Sequence, residues 1–324
     1  MAQKIIIDAD PGICDALAIL VAMADPSLDV LGLTAVAGAV SGVQATRNLQ
    51  YLISLADPLR HPRVGQCDIN ICSADQTPTG MPHQQSLNGR YGLGEVDPLV
   101  PDLHNRRESA RLIVDLIREH PQEVRIITFG PLTNIAMALE LDPQLPFLLN
   151  GLICLGGAVH GGDVTASAEF NFWSDPEAAR TVIKSPVGKI IVPLDVSGGP
   201  DLTFDDIDRL SGLIPSTPIG ELIAGLMHFA VRTHRQQMPC EEVSLPAVAA
   251  LAVAARATPY QADSVVMDVE SVGSITNGTM VVDRRPFRSA PTNADLVTKL
   301  DDAAVVDYFC RGVRRIAVSS DGRP

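Results

Sequence analysis

The chain has no surplus of positive charge. Its 324 residues carry 25 Lys and Arg against 38 Asp and Glu, a formal charge of −13. Nothing is left over to displace counterions from a phosphate backbone, so nucleic acid is not an expected partner. A neutral small molecule or a cation suits this balance better. No apolar run reaches the roughly 18–20 residues that a membrane helix needs. The N-terminus, Met1-Ala-Gln-Lys-Ile-Ile-Ile-Asp8, enters a strand at once and shows no basic segment, apolar segment and cleavage site in succession. The six cysteines (Cys14, Cys67, Cys72, Cys154, Cys240, Cys310) are scattered, mostly within apolar segments. The Cys67–Cys72 spacing fits no common zinc pattern, and the set reads as reduced thiols of a cytoplasmic protein. No Gly-x-Gly-x-x-Gly follows a strand with an acid some 20 residues later, which speaks against a dinucleotide enzyme. Repeats, low-complexity tracts and separating linkers are also missing, so residues 1–324 are expected to form one domain.

What is present is a chain with 46% hydrophobic and only 19% charged residues, ample for a large core and unlike a disordered segment. Short apolar runs alternate with helical spacing through the first two thirds. Strands are predicted at Ile5–Ile7, Val30–Ala35, Val124–Thr128, Leu152–Leu155 and Lys189–Pro193. Helices are predicted at Asp15–Met23, Val43–Leu55, Arg107–Glu119, Pro131–Leu139 and Asp175–Ile183, the last two with Pro in the first turn. Ser73–Val100 is a Pro/Gly/polar stretch too long for an ordinary connection, and therefore a candidate functional loop. Helical patterns at Pro218–Arg232 and Pro246–Arg256 follow. Val265–Glu270, Gly278–Val282 and Ala294–Lys299 then read as a small late β-layer before a helix from Asp301 to about Arg314. Such alternation implies an α/β fold with a doubly wound, mostly parallel central sheet. Ligands of these sheets sit outside the carboxyl ends of the strands, and polar or small residues gather there: Asp8 and Asp10, Ala37-Gly38-Ala39, Gly130, and Gly156-Gly157.

Asp8-Ala-Asp-Pro-Gly-Ile-Cys-Asp15 is the segment that carries chemistry. Three carboxylates within eight residues repel one another unless protons or a cation hold them, and hard cations such as Ca²⁺ select carboxylate and carbonyl oxygens. Pro11-Gly12 turns the chain so that Asp10 and Asp15 can face one point. Helix capping by Asp8 or Asp15 is the simpler alternative and stays open on these residues alone.

The same segment resembles the Asp-x-Asp-Pro-Gly-x-Asp-Asp signature of the nucleoside hydrolase family. Further matches follow in family order: Phe129-Gly-Pro-Leu-Thr-Asn134, Leu155-Gly-Gly157, Ala168-Glu-Phe-Asn171 with Asp175-Pro-Glu-Ala-Ala179, and Gly278-Thr-Met-Val-Val-Asp283. The resemblance covers nearly the whole chain. It implies hydrolysis of the N-glycosidic bond of a ribonucleoside, giving ribose and free base, with Ca²⁺ as cofactor and a carboxylate as general base. By position it implies Asp10 as base and metal ligand, with Asp15 and the Phe129 carbonyl as further ligands. It places Cys14, Asn88, Asp163, Glu169 and Asn171 against the substrate, and it implies a homodimer or homotetramer.

Several positions depart from the family's pattern. The first of the paired aspartates is Cys14, the asparagine expected after Gly38 is Ala39, the loop histidine is Asn88, and the asparagine expected before Glu169 is Asp163. The C-terminal His-Asp, which supplies the last metal carboxylate, falls on Pro246 and Ala247, or in a shifted register on Ser244 and Leu245. Neither pair supplies a carboxylate, and Glu241 and Glu242 upstream read as a solvated pair. Cys14 reads as a small neutral replacement, because the neighbouring aspartates oppose a thiolate and no histidine lies in the segment. A non-catalytic homologue that binds a ribose-like ligand at an incomplete metal site is the alternative reading.

Overall fold

A computed structural model describes residues 2–69, 84–101, 107–237, 242–286 and 290–321. The first half runs β1 (Gln3–Ala9), α1 (Ile13–Ala24), β2 (Leu28–Ala35), α2 (Gly42–Ala56), β3 (Arg63–Gly65), α3 (Gln84–Asn88), α4 (Ser109–Glu119), β4 (Arg125–Thr128), α5 (Thr133–Leu141), α6 (Leu145–Leu148) and β5 (Gly151–Leu155). It continues through α7 (Phe170–Ser174), α8 (Pro176–Lys184), β6 (Lys189–Val192), α9 (Leu194–Ser197), β7 (Asp201–Thr203), α10 (Phe204–Ser211), α11 (Pro218–Gln237) and β8 (Glu242–Ser244). The last part holds α12 (Pro246–Ala254), β9 (Tyr260–Val265), β10 (Met267–Val269), β11 (Met280–Val282), β12 (Ala294–Leu300) and α13 (Asp302–Asp321).

The central sheet has eight strands in the order β3-β2-β1-β4-β5-β6-β12-β9. All neighbours pair in parallel except β9, which runs antiparallel to β12. β1 shows why the sheet is covered on both faces: Ile5 and Ile7 enter one apolar core and Ile6 the other, all fully buried. A near-continuous apolar run is what a strand buried on both faces requires. α1 is likewise buried along almost its whole length, as expected of a helix that is apolar all round.

The late β-layer differs from the sequence expectation. Only β10 and β11 form a small two-stranded sheet, whereas β12 joins the central sheet beside β6 and carries β9 as its antiparallel edge. α13 closes the fold: its Tyr308 hydroxyl donates to Asp25 Oδ2 at 2.7 Å, at the carboxyl end of α1.

The strand order reverses between β1 and β4. That switch opens a crevice between the loops leaving the two strands, which is where open α/β sheets bind ligands. The loops that follow β1, β2, β4 and β5 all carry residues of the site described next.

Candidate active site at the sheet switch point

β1 delivers two carboxylates to the crevice. Asp8, on the strand itself, is fully buried; its Oδ1 accepts from Thr34 Oγ1 at 2.5 Å and Asn134 Nδ2 at 2.8 Å. Burial pushes the Asp8 carboxyl up to about 7 against the pull of those two donors. Asp10 follows the strand, and its Oδ2 accepts from the Ala39 backbone N–H. A Cβ on Gly38 or on Gly130 would collide with the two Asp10 carboxylate oxygens, so only glycine lets the β2 and β4 loops close around this side chain. Burial raises Asp10 to about 7 as well. Asp15, in the first turn of α1, is half-buried and also raised, by burial first and by the Asp10 charge second.

The opposite wall comes from β4, β5 and the segment before α7. Glu169 is the N-cap of α7: Oε1 accepts from Asn171 N at 2.9 Å, and Oε2 from Gly157 N at 2.7 Å and Phe172 N at 3.2 Å. Gly157 turns its N–H there with a φ of 75°, a conformation glycine adopts without a Cβ clash. Burial, and then the Asp163 charge, push Glu169 up to about 8 despite three backbone donors. Asp163 is raised in turn by burial. Asn171 donates its amide to the Phe129 carbonyl at 2.7 Å and the Leu155 carbonyl at 3.0 Å, tying the ends of β4 and β5 together.

These residues share one cavity of about 300 Å³. Asp10, Cys14 and Asp15 line it from the β1–α1 turn, Asn88 from α3, Phe129 from the β4 loop, and Asp163, Glu169 and Asn171 from the far wall. All eight site residues expected from the sequence therefore lie on one cavity. Some are already engaged. Asn88 accepts from the Ile13 backbone N–H through Oδ1 at 2.9 Å, at the first residue of α1. The Cys14 thiol is pushed up to about 12, by burial and then by the Asp15 charge, so it is a neutral thiol near pH 7. Cys67, Cys154 and Cys310 are free thiols too, and Cys72 and Cys240 lie outside the described residues. A larger hollow of about 600 Å³ between α1, α2 and α11 has mostly apolar walls and gathers none of these groups.

Ser244, Leu245 and Pro246 line the cavity where the family's last carboxylate would fall, and Ala247 is buried behind them. Glu242 is exposed on β8, and Glu241 lies outside the described residues, as does the 73–83 part of the candidate loop. One lining residue that the sequence reading did not include is His234 of α11. Its helix was expected to end at Arg232, yet it runs on to Gln237.

Among the described residues no three His, Cys, Asp or Glu side chains gather as a metal site. The donors that are present suit a hard divalent cation in kind: Asp10 and Asp15, which repel each other, and the Phe129 carbonyl, which keeps a second lone pair beside its bond from Asn171. They are fewer than the six to eight oxygens such an ion takes, so water or substrate hydroxyls must complete the shell.

The chain is 28% identical over 305 residues to the inosine-uridine preferring nucleoside hydrolase of Crithidia fasciculata, covering 93% of this chain and 94% of that protein. It is 30% identical over 324 residues to a pyrimidine-specific ribonucleoside hydrolase of Salmonella gallinarum, covering 98% and 100%. The solved structure of the plant nucleoside hydrolase PpNRh1 superposes with a TM-score of 0.85 at 26% identity, over 97% of this chain and 99% of that one. Residues 5–307 match the family described as inosine-uridine preferring nucleoside hydrolase. With the aspartate turn at the sheet switch point and the match running through nearly the whole chain, this protein belongs to the nucleoside hydrolase family.

Proposed function

We propose that the cavity hydrolyses the N-glycosidic bond of a ribonucleoside or related N-glycoside, releasing free base and ribose. The observation that carries this reading is the convergence of Asp10, Asp15, Asp163 and Glu169 on one cavity at the β1/β4 switch. Asp10 is the general base. Burial brings its carboxyl up to about 7, where it can take a proton from water near neutral pH. The Ala39 N–H holds one of its oxygens in place. Glu169, Asn171 and Asp163 form the polar wall that positions sugar hydroxyls, and the hydrogen bonds of Glu169 and Asn171 to the backbone keep that wall rigid. Cys14 contributes a small neutral surface between the two walls.

Asp10, Asp15 and the Phe129 carbonyl are the groups that would hold Ca²⁺. A divalent cation bound there would supply Lewis acidity toward water and hydroxyl oxygens. Because ligand charge tunes Ca²⁺ affinity over orders of magnitude, two carboxylates imply weak binding, read as a small heat of Ca²⁺ titration that disappears in Asp15→Ala. Assembly as a homodimer or homotetramer belongs to the same proposal and is read by light scattering.

The test of the chemistry is turnover of inosine and uridine by wild type and by Asp10→Asn. The amide oxygen can still accept from Ala39, so the fold should survive. Loss of the base should lower kcat by about 10²–10⁴-fold. An Asp10→Asn protein that turns over at the wild-type rate would sink the assignment of the base.

A further inference from the structure

Asp163 lines the cavity from a segment without helix or strand, between the end of β5 at Leu155 and the start of α7 at Phe170. A side chain on such a segment is placed accurately only if something outside the segment holds it. The two ends are held. The Gly156 N–H donates to the Val192 carbonyl of β6 at 3.1 Å, and Glu169 caps α7. Around Asp163 itself the main-chain bonds stay inside the segment and are long: Gly162 N to the Ala166 carbonyl at 3.4 Å, and Val164 N to the Ala168 carbonyl at 3.3 Å. The Asp163 Oδ1 atom is buried and has no hydrogen-bond partner, so that oxygen does not anchor the carboxylate either.

The outside support comes from the short helix α9. β5 and β6 are parallel neighbours with Leu155 opposite Val192, so α9, which follows β6 directly, stands beside the segment that follows β5. Its Leu194 N–H donates to the Gly157 carbonyl at 2.8 Å. Its Asp195 does more. Asp195 Oδ2 accepts from the Val159 N–H at 2.7 Å, and Oδ1 accepts from the His160 N–H at 3.0 Å and lies 2.7 Å from His160 Nδ1. Burial pushes the Asp195 carboxyl up, but these donors outweigh it and hold it below the ordinary aspartate range. The carboxylate is therefore ionised near neutral pH, and its bonds are of the stronger, charge-assisted kind. α9 in turn packs against α12 and β12, which gives Asp195 a firm base. Leu194 and Ser197 of α9 line the cavity, whereas Asp195 faces the segment.

We propose that Asp195 is a positioning residue for the polar wall: its grip on Val159 and His160 fixes where Asp163, three residues further on, stands in the cavity. This rests on the hydrolase reading above and on the place of Asp163 in that wall. Asp195 acts through Asp163 and not on the substrate. The N–H groups it holds lie at the surface, where water can take them over if the carboxylate is removed. Loss of Asp195 therefore loosens the segment without breaking the sheet. Asp10 and Asp15 stand on the other wall, at the β1–α1 turn, and are untouched by it. The expected loss is in holding the sugar, which both ground state and transition state need, and so it falls on KM more than on kcat.

The test is a double-mutant cycle on uridine and inosine hydrolysis with Asp195→Ala and Asp163→Ala. In the wild-type background Asp195→Ala should lower kcat/KM about tenfold, with most of the change in KM. In the Asp163→Ala background the same substitution should cost less than about twofold, because the side chain it positions is gone. Asp195→Asn keeps one acceptor oxygen for the Val159 or His160 N–H, so it should recover part of the loss and show the same non-additivity on a smaller scale; it also carries the test if Asp195→Ala folds poorly. Equal losses in the two backgrounds would overturn the proposal in favour of a structural role. A loss confined to kcat, or an Asp163→Ala protein with wild-type kcat/KM, would overturn it as well. Wild type inert toward both nucleosides would instead bring down the hydrolase reading, and this proposal with it.

Discussion

Replacing Glu169 with Gln tests whether burial or hydrogen bonding governs the far wall of the cavity. Three backbone N–H groups point at this carboxylate and favour its ionised form, yet burial and the nearby Asp163 outweigh them and bring the carboxyl up to about 8. A folded-state pKa above the ordinary glutamate value has a definite sign. The stability it contributes is fully present below pH 4.5 and is lost as pH rises toward 8. At about 1.4 kcal/mol per pKa unit, the span from 4.5 to about 8 corresponds to about 5 kcal/mol, shared between the Glu169 carboxyl and Asp163 beside it. Gln resembles the neutral acid, since each presents one strong acceptor oxygen to the N–H groups, but it cannot ionise. Urea denaturation in EDTA, repeated from pH 5 to pH 8.5, should show the two proteins within about 1–2 kcal/mol of each other at pH 5, the worth of one imperfect hydrogen bond. The wild type should then fall below Glu169→Gln as pH rises. Parallel pH curves for the two proteins would refute the reasoning, because they would mean that the three N–H donors keep Glu169 ionised throughout.

Other consequences follow from contacts elsewhere. Gly130→Ala places a Cβ against the Asp10 carboxylate and 2.8 Å from Val36 Cγ1. It should cost about 1–3 kcal/mol in urea denaturation and lower kcat as well, whereas an unchanged kcat would show that the β4 loop does not position Asp10. Tyr308→Phe removes the donor to Asp25. Burial pushes the Asp25 carboxyl up, but Tyr308, Ser27 and Arg315 outweigh it and hold it below the ordinary aspartate range. Its stabilisation is therefore present above that range and lost as pH falls through the folded value. The substitution should cost about 1.5–3 kcal/mol at pH 7, the worth of a hydrogen bond to a charged group, and progressively less in acid. Phe309→Ala, at a side chain with no exposure, should cost about 3–5 kcal/mol by denaturation.

The features legible in the sequence are those fixed by short-range pattern. β1 reads as a strand because Ile5, Ile6 and Ile7 are all apolar, and the structure buries them on alternate faces. α8 begins after Asp175 because Asp as N-cap followed by Pro is a local signal, and Asp175 Oδ1 does accept from Ala178 N at 3.0 Å. The site was legible wherever a motif ended a strand of the switch. The rest depended on long-range packing. β9 is an exposed edge, with five of its six residues on the surface, so it carries no apolar alternation, and nothing local tells that β12 pairs with β6 from far along the chain. α10 has a readable start, a capping box between Thr203 and Asp206, but its buried face is only Ile207 and Leu210, too short a repeat to mark a helix by periodicity. His234 was missed because it follows the last apolar repeat of its helix. Its place on the cavity is set by how α11 packs against α3, which no residue of α11 announces.

The central claim is that this cavity cleaves an N-glycosidic bond with water. The most direct measurement follows inosine and uridine with the purified protein in phosphate-free buffer, with and without added Ca²⁺, and quantifies free base and reducing sugar together. The account predicts base and ribose released in equal amounts, without any need for phosphate. Release of base only when phosphate is supplied, or no release from either nucleoside under any of these conditions, would contradict it.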